Sequence, residues 1–498
     1  MRNLFPVLAS LIILLLALQF QSCRKDNFDT SPSVKLSFSA DSLLFDTVFT
    51  TIGSSTRYFK VYNRHSSDVI ISDIRLAGGN SSFFRINASG NSGTRITDLE
   101  VGANDSIYIF VEVTVDPVGE DLPLVISDSV VFYVNNNIQD VKLVAWGQDA
   151  NFIRPNFSDT VNDIDYHLIT SHTTWSGIKP WVVYGLVVIA PQASLTIDQG
   201  SQVHFHNNSA MIFLDRSSLK IEGTAEEPVF LQGNRLESDY SDLPGQWGYI
   251  WLTAGSTNHS IENAVIKNAT YGVIMDSIGS FTEPTLRMHN TIIKNMDQTG
   301  LELRGAWVEA TNLVVANCGV SAINMMLGGN YNFRHVTVGN YYSLPGTIRQ
   351  TPSLAFNNYY VDTAGTVQVR DFEQIYFGNS IIYGSLTEEI SLDLYPDNSN
   401  PGFVFDHCLI RTSFHNQFSE QFINSLTNEQ PRFVEARDNN YRLRNDSPAR
   451  KKGSKDIALE VPLDILGRNR TDSVDIGAYQ YYQEEEEEEE DGQNGDNE

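Results

Sequence analysis

Short runs of alternating apolar and polar residues fill the chain between Val34 and Asp149, and turn residues separate them. The clearest runs are Tyr58–Tyr62, Val69–Ile71, Ile107–Val113, Val130–Val134 and Val141–Ala145. No 3.6-residue period competes with this alternation. Regular strands divided by Gly, Asn, Asp and Ser are typical of an antiparallel sandwich. Residues 34–149 are therefore predicted to form one β-sandwich.

A six-residue block recurs along the rest of the chain. It is found as Asn263–Asn268, Asn290–Asn295, Asn312–Asn317, His335–Asn340, Asn379–Gly384 and His407–Thr412. Successive blocks start 27, 22, 23, 44 and 28 residues apart. A period of this length around a central strand indicates a solenoid. Leucine-rich repeats share the period, but their leucine spacing and helical halves are missing here.

Most blocks have a second alternating strand before them and a third after them, as in Leu286–Met288 and Leu301–Leu303. Three short strands per turn, bent at Asn and Gly, describe a coil of parallel strands, and parallel crossovers are normally right-handed. We therefore predict an all-β protein in which residues 177–482 form a right-handed parallel β-helix and residues 150–176 connect it to the sandwich.

The first residue of each block is predicted to be structural. Polar side chains at equivalent bends can stack into a ladder and satisfy backbone groups there. The predicted ladder residues are Asn263, Asn290, Asn312, His335, Asn379 and His407.

The N-terminus has the order of an export signal. Arg2 precedes an apolar region that is unbroken over Leu11–Leu18, too short for the roughly 20 residues of a membrane-spanning helix. Gln19–Cys23 resembles a lipobox, which implies removal of residues 1–22 and a lipid on Cys23, followed by a tether over 23–33. The alternative is an ordinary signal peptide with a coincidental cysteine.

Both domains resemble known families. The segments Phe45–Val48, Phe59–Asn63, Ile71–Leu76 and Val144–Gly147 resemble immunoglobulin-like modules of the hydin-like (ASH) family, which implies a spacer or adhesion unit without catalysis. Ser447–Ala449, Asp464–Arg468 and Asp475–Tyr479 resemble the closing motif of surface β-helix proteins of the choice-of-anchor Q type. Together with the repeat, they resemble the right-handed, pectin-lyase-like β-helix lipoproteins of Gram-negative surfaces. That broad superfamily includes lyases, hydrolases, adhesins and proteins without activity, so the fold does not fix the function.

The net charge of the chain excludes one class of partner. The net charge of −27 argues against a nucleic acid partner. Part of this charge lies in the run Glu484–Glu490, so residues 483–498 are expected to be a solvated, disordered tail.

The remaining cysteines are predicted not to form a disulfide. With Cys23 used for lipid, Cys318 and Cys408 remain. Three turns separate them, or about 14 Å at roughly 4.8 Å per turn, so they are predicted to be free thiols.

No convincing catalytic set emerges from the face beside the blocks. Charges such as Arg287 and Glu309 alternate in sign between turns, as on a stable solvated sheet. His204 and His206 share a strand face that could serve a metal, but no third ligand is evident, so an exposed polar face is expected there instead. Lys267 and Lys294 are in register and could meet an anionic sugar, although snorkelling lysines are commoner.

No cofactor or metal is predicted. An acidic loop formed by Glu237, Asp239 and Asp242 could hold Ca²⁺, yet its spacing matches no known calcium loop.

The candidate binding region is the stretch Tyr341–Asp371, inside the 44-residue interval. Long loops of a solenoid often build its binding surface, and tyrosines offer flat faces to sugars. The candidate ligand-binding residues are Tyr341, Tyr342, Arg349, Tyr359, Tyr360 and Arg370. Packing of these rings onto the coil is an equal alternative.

The preferred hypothesis is a non-catalytic lipoprotein at the outer membrane that binds a glycan or a protein partner. The cell surface is the preferred location, and the periplasmic face of that membrane is the alternative. A polysaccharide lyase or glycoside hydrolase and an accessory subunit of an outer-membrane complex are the alternatives.

Overall fold

The computed structural model describes residues 28–49, 53–114, 124–277, 282–344, 346–396 and 402–483. The chain divides into two compact units, Met1–Asp149 and Ala150–Glu498. The predicted signal peptide, Cys23 and the run Glu484–Glu490 lie outside the described residues. No helix in the described part of the chain is long and apolar enough to cross a membrane.

The first unit is a sandwich of two five-stranded sheets, ordered β1-β3-β8-β5-β6 and β2-β10-β9-β4-β7. Its strands are β1 (Ser37–Phe38), β2 (Ser42–Phe49), β3 (Arg57–Tyr62), β4 (Val69–Leu76), β5 (Phe84–Ala88), β6 (Asn91–Gly93), β7 (Arg95–Val101), β8 (Ser106–Val113), β9 (Leu124–Val134) and β10 (Asn137–Gln148). All pairs are antiparallel except β2 with β10.

Period-two alternation builds this sandwich. In β10, Val141, Leu143 and Ala145 are fully buried while the residues between them point outward. The hairpin between β9 and β10 turns at Asn135 and Asn136, whose φ values are 43° and 67°. Two positive φ values in a two-residue loop match the twist of the flanking strands, and Asn tolerates them well.

In its described residues, the second unit contains the remaining strands, one short α-helix, α1 (Lys455–Glu460), and four single-turn 3-10 helices. In chain order the strands are β11 (Asn151–Ile153), β12 (Phe157–Asp159), β13 (Ile164–Ile169), β14 (Thr173–Trp175), β15 (Trp181–Val183), β16 (Leu186–Ile189), β17 (Ser194–Asp198), β18 (Gln202–Phe205), β19 (Ala210–Phe213), β20 (Ser218–Glu222), β21 (Val229–Gly233), β22 (Ile250–Leu252), β23 (His259–Glu262), β24 (Ala264–Lys267), β25 (Val273–Asp276), β26 (Leu286–Met296), β27 (Leu301–Arg304), β28 (Trp307–Cys318), β29 (Ile323–Met326), β30 (Gly329–Arg334), β31 (Thr337–Asn340), β32 (Ser343–Leu344), β33 (Thr347–Ile348), β34 (Leu354–Asn357), β35 (Tyr359–Val361), β36 (Val367–Val369), β37 (Phe372–Gly378), β38 (Ile381–Gly384), β39 (Ile390–Asp393), β40 (Phe403–Asp406), β41 (Leu409–Ile410), β42 (Phe422–Ile423), β43 (Leu426–Thr427), β44 (Phe433–Glu435) and β45 (Asn440–Leu443).

Two large sheets order these strands. One has nineteen strands, running from β11 to β43, and the other has ten, running from β12 to β39. Every pair in them is parallel except β12 with β13. The fold class predicted from the sequence is confirmed: the protein is all-β, with an immunoglobulin-like first unit and large parallel sheets consistent with a β-helix. Its right-handedness stays a prediction.

Inward-facing side chains of both sheets share one elongated core. Leu195, Phe213, Ile266, Met275 and Val315 belong to it, and each is fully buried. Apolar side chains therefore stack on apolar side chains in successive turns, so each turn buries the apolar face of the previous one.

The coil begins earlier than the sequence indicated. Residues 150–176, expected to be a connector, contain β11 to β14, and β11, β13 and β14 pair in parallel with later strands of the coil. These strands are short and interrupted by polar turns, so their period was not visible in the sequence.

The coil also ends earlier than expected. Its last strands are β42 and β43, whereas residues 433–482, which we call the C-terminal segment, fold back over the outside of the nineteen-stranded sheet. Phe433, Tyr441 and Ile476 of this segment form a separate apolar cluster with outward-facing residues such as Val314 and Ile381. The C-terminal segment therefore covers outward apolar residues of the coil that would otherwise be exposed.

Cys318 and Cys408 are both free and fully buried. Three register steps separate their turns, from Val314 to Thr337, Ile381 and Leu409. Burial raises the pKa of the Cys318 thiol to about 12 and also raises that of Cys408. Neither is therefore a reactive thiolate at neutral pH.

Candidate functional site

The ten-stranded sheet has an outward face that changes from apolar to polar along the coil. In β25 and β27, Val273, Met275, Leu301 and Leu303 point into the core. The alternate residues of the same strands point outward, since successive side chains of a strand face opposite sides.

Parallel register places these outward residues in two columns. The first runs through Trp251, Ile274, Glu302 and Asn324, and the second through Asp276, Arg304, Met326, Asn357 and Asp393. We call Asp276, Glu302, Arg304, Asn324, Asn357 and Asp393 the polar strip. From Trp251 to the strand of Asp393 there are five strand steps, which is roughly 24 Å.

Hydrogen bonds join the members of the strip across turns. Trp251 Nε1 donates to Asp276 Oδ2 at 2.7 Å, and Arg304 Nη1 donates to Asp276 Oδ1 at 3.0 Å. Arg304 Nη2 also reaches Glu302 Oε1 at 3.5 Å, and Asn324 Nδ2 donates to Glu302 Oε2 at 3.0 Å. Each carboxylate is thereby fixed by two partners, so the strip is preorganised.

The far end of the strip has the same construction. Asn357 Nδ2 donates to Asp393 Oδ2 and Tyr359 Oη to Asp393 Oδ1, both at 3.0 Å. The rings of Tyr359 and Tyr395 lie 5.7 Å apart, and Tyr360 and Tyr395 are exposed. Aromatic rings therefore stand at this end.

The near end is also aromatic. Tyr249 and Trp251 pack edge to face with ring centroids 6.2 Å apart, and both remain partly exposed. A row of polar side chains thus lies between two aromatic pairs on one face of the coil, and Glu302 is its most buried carboxylate at 8% exposure.

The charges of the strip are unbalanced. Asp276, Glu302 and Asp393 contribute three negative charges, and Arg304 contributes one positive charge. An anionic ligand would be repelled, whereas hydroxyl groups could donate to the carboxylates and accept from the amides and the guanidinium. The arrangement suits a neutral, hydroxyl-rich ligand.

Arg349, predicted to bind ligand, is instead a core residue. Its side chain is 0% exposed and forms a two-pronged ion pair with Glu389, which is also 0% exposed, at 2.6 and 2.9 Å. Glu389 lies 40 residues further along the chain, so no local pattern revealed the pair. The pair ties the antiparallel hairpin of β32 and β33 to the coil and cannot contact a solvent-borne ligand.

The six candidate residues of the long interval fall into two groups. Tyr342 is buried, and Tyr341 packs edge to face against Phe433 in the cluster under the C-terminal segment. Tyr359, Tyr360 and Arg370 instead lie on or beside the hairpin of β35 and β36, where Tyr359 contacts the polar strip. Packing explains Tyr341, Tyr342 and Arg349, whereas the hydrogen bond to Asp393 places Tyr359 at the strip. A binding role for Tyr359, Tyr360 and Arg370 stays a prediction.

The proposed ladder residues occupy one row of bends. All six, from Asn263 to His407, have φ between 47° and 54°. The amide of Asn290 donates to Asn263 Oδ1 at 3.1 Å, and that of Asn312 donates to Asn290 Oδ1 at 2.8 Å. Asn and His adopt positive φ more easily than most residues, which explains their recurrence here.

The later ladder residues also hold the C-terminal segment. Asn312 donates to the Leu463 carbonyl at 3.0 Å and accepts from Arg470 at 2.7 Å. His335 contacts the Gly477 carbonyl at 3.2 Å. Burial lowers the pKa of Arg470 to about 10. The ladder therefore has a second role that its period alone did not reveal.

The candidate metal ligands do not converge. His204 is buried, its Nδ1 contacts the Gly233 carbonyl at 3.3 Å, and burial lowers its pKa to about 4, while His206 is exposed. The expected exposed polar face is therefore wrong for His204. In the acidic loop, Glu237 pairs with Arg235 and Asp242 with Lys294. Among the described residues no group of three or more His, Cys, Asp or Glu is placed to hold a metal ion.

No family model and no curated protein matches the chain. Similar solved structures include a family 123 glycoside hydrolase from Clostridium perfringens (8% identity, TM-score 0.18, 24% of this chain and 31% of that chain). They also include the ASH/PapD-like domain 7 of human CEP192 (11% identity, TM-score 0.17, 25% and 93%) and a protein of unknown function from Porphyromonas gingivalis W83 (14% identity, TM-score 0.18, 28% and 59%). The chain thus spans about a third of the hydrolase. Likenesses this low carry no argument about activity.

Proposed function

We propose that the protein is a non-catalytic surface lipoprotein whose second unit binds a neutral glycan along the polar strip. A lipid on Cys23 would hold the protein to the outer membrane, and the sandwich would serve as the spacer between lipid and coil. The observation that carries the proposal is the strip itself: fixed carboxylates, amides and a guanidinium over roughly 24 Å, with aromatic pairs at both ends.

The chemistry of a sugar chain suits this surface. Sugar hydroxyls can donate to Asp276 and Asp393, and sugar ring faces can stack on Trp251 and Tyr395. The length of the strip accommodates an extended oligosaccharide rather than one ring. Because Arg304 and Asn324 are already held by neighbours, little side-chain ordering is needed on binding.

The test is a glycan array screened with the purified soluble protein, followed by titration of the best neutral oligosaccharide. Trp251→Ala should weaken binding about tenfold, equivalent to about 1.4 kcal/mol. The matched control is Trp146→Ala, since Trp146 is also a partly exposed tryptophan but lies in the sandwich. Equal binding by wild type and Trp251→Ala would refute the placement of the site.

One observation favours a hydrolase as the second candidate. Asp276 and Glu302 are two carboxylates bridged by one guanidinium, and glycoside hydrolases use paired carboxylates. Incubation of the bound polysaccharide with wild type and Glu302→Gln, followed by measurement of new reducing ends, separates the two functions. Our proposal predicts that neither protein produces new reducing ends. Reducing ends from wild type but not from Glu302→Gln would establish catalysis instead.

The membrane anchor is tested separately. Cys23→Ser should abolish lipid attachment and leave the protein in the soluble fraction after cell lysis. Membrane association equal to that of wild type would contradict the lipoprotein assignment. Recovery of wild type with one outer-membrane protein in constant ratio would indicate an accessory subunit.

A further inference from the structure

A second candidate site lies on the nineteen-stranded sheet, where the C-terminal segment stops covering it. Here a cavity of about 200 Å³ opens beside Lys267 and Lys294. Its floor consists of the outward residues Phe230, Val265 and Ile292, which are half-buried.

The end wall of the cavity is rigidly placed. Tyr441 packs over Gly339, where any Cβ would collide with the ring, and its hydroxyl donates to the Gly339 carbonyl at 2.9 Å. Gly339 stands in the same outward column as Lys294, with Ala316 between them. The small residues Ala316 and Gly339 thus leave room for Tyr441 in the turns that the C-terminal segment covers. In the turns that it leaves uncovered, the same column holds Lys294 and Lys267.

The two lysines are held side by side. Lys267 and Lys294 are direct register partners on β24 and β26, so their backbones are about 5 Å apart. Lys294 is only 22% exposed and lies 3.5 Å from Asp242, while Lys267 donates to the Ser241 carbonyl at 3.2 Å. One carboxylate against two ammonium groups leaves one net positive charge at the rim of an apolar cavity.

We propose that this cavity binds a single monoanionic sugar residue, with its carboxylate or sulfate between Lys267 and Lys294. The apolar face of the ring would lie on Val265 and Ile292 and end against Tyr441. A volume of about 200 Å³ is below the roughly 300–1,000 Å³ of pockets for larger ligands, so it accommodates one ring. Burial and the neighbouring Lys294 lower the pKa of Lys267, and an anion placed there would reverse that effect. The polar strip is not involved, so this inference does not rest on the proposed glycan chain.

The test uses the purified protein and four probes: galacturonate, galactose 6-sulfate, neutral galactose and inorganic sulfate. Titration calorimetry should show both anionic sugars binding at least tenfold more tightly than either galactose or sulfate. Lys267→Gln/Lys294→Gln should remove that preference. Two control variants, Lys220→Gln and Trp251→Ala, should keep the preference for anionic sugars. Lys220 is a lysine at an outward position of β20 outside the cavity.

A measurement on the wild type guards against a misfolded variant. Nuclear magnetic resonance of dimethylated lysines should show the pKa of Lys267 rising on addition of galacturonate and not of galactose. Equal binding of galactose and galacturonate, unchanged binding in the double variant, or no rise in the Lys267 pKa would each overturn the proposal. Inorganic sulfate binding as tightly as the sugars would overturn the role of the apolar floor.

Discussion

The buried pair of Arg349 and Glu389 supplies the sharpest structural prediction. Arg349→Met should destabilise the second unit severely without altering any ligand site. The change removes two hydrogen bonds to Glu389, at 2.6 and 2.9 Å, and the contact with the Asn340 carbonyl at 2.9 Å. Glu389 keeps only neutral donors, from Ser353 and from the Leu386 amide.

The expected loss of stability follows from the charge that remains buried after the substitution. Both side chains are 0% exposed, so Arg349→Met leaves a buried carboxylate without its cation, which costs about 3–5 kcal/mol. Glu389→Met should cost a similar amount by leaving the guanidinium unpaired. The double variant Arg349→Met/Glu389→Met leaves neither charge, so it should be less destabilised than the sum of the single variants by at least about 1 kcal/mol.

Urea unfolding followed by tryptophan fluorescence is the appropriate assay. Of the six tryptophans, all but Trp146 lie beyond residue 149, so the signal reports mainly on the second unit. A loss below about 0.5 kcal/mol for Arg349→Met, the range of an ordinary surface substitution, would refute the buried pair. Reduced ligand binding at unchanged stability would restore Arg349 as a binding residue.

Three further predictions follow from other contacts. Asn312→Ala should cost about 1–3 kcal/mol, since it removes the hydrogen bonds that Asn312 makes with Asn290, the Leu463 carbonyl and Arg470; a change within about ±0.5 kcal/mol in urea would count against the ladder register. Denatured, unreduced Cys23→Ser protein should show two reactive thiols, from Cys318 and Cys408, whereas none, with a bridged peptide in a map, would contradict the turn spacing. His204, with its pKa lowered to about 4, favours the neutral form, so the unfolded chain takes up more protons between about pH 6.5 and 4 and stability falls as the pH drops through that window. His204→Gln should make the urea midpoint less sensitive between pH 7 and 5, and an unchanged slope would contradict the burial of a neutral imidazole.

The coil was predictable because its bends repeat. Positive φ at each bend restricts the residue to types such as Asn and His, so Asn290, Asn312 and their equivalents mark the turns directly in the sequence. The strands of the sandwich were predictable from alternation for a similar reason, since each buries one face.

The polar strip was missed although its signal is present. Glu302 stands between Leu301 and Leu303, and a lone charged residue between two core residues of a strand faces outward. The face beside the recurring block, where Arg287 and Glu309 lie in register, keeps a constant offset from the block and is therefore easier to recognise in the sequence. Loops of unequal length precede the strands of the ten-stranded sheet, so its columns share no constant spacing with the block.

Long-range pairing was beyond the sequence. Nothing near Arg349 indicates Glu389, and nothing near Arg470 indicates Asn312, which lies 158 residues earlier. Their burial depends on the hairpin of β32 and β33 and on the C-terminal segment, both of which fold onto the coil. The same folding back creates the cavity at Lys267, so the register of Lys267 and Lys294 alone favoured snorkelling lysines over the binding of an anionic sugar.

The polar strip as a glycan-binding surface is the central claim, and one calorimetric comparison tests it most directly. The best neutral oligosaccharide from the array is titrated into wild type, Trp251→Ala and Trp146→Ala. We predict one binding site per chain in wild type and in Trp146→Ala, with affinity about tenfold lower in Trp251→Ala. Equal affinity in all three proteins would contradict the account.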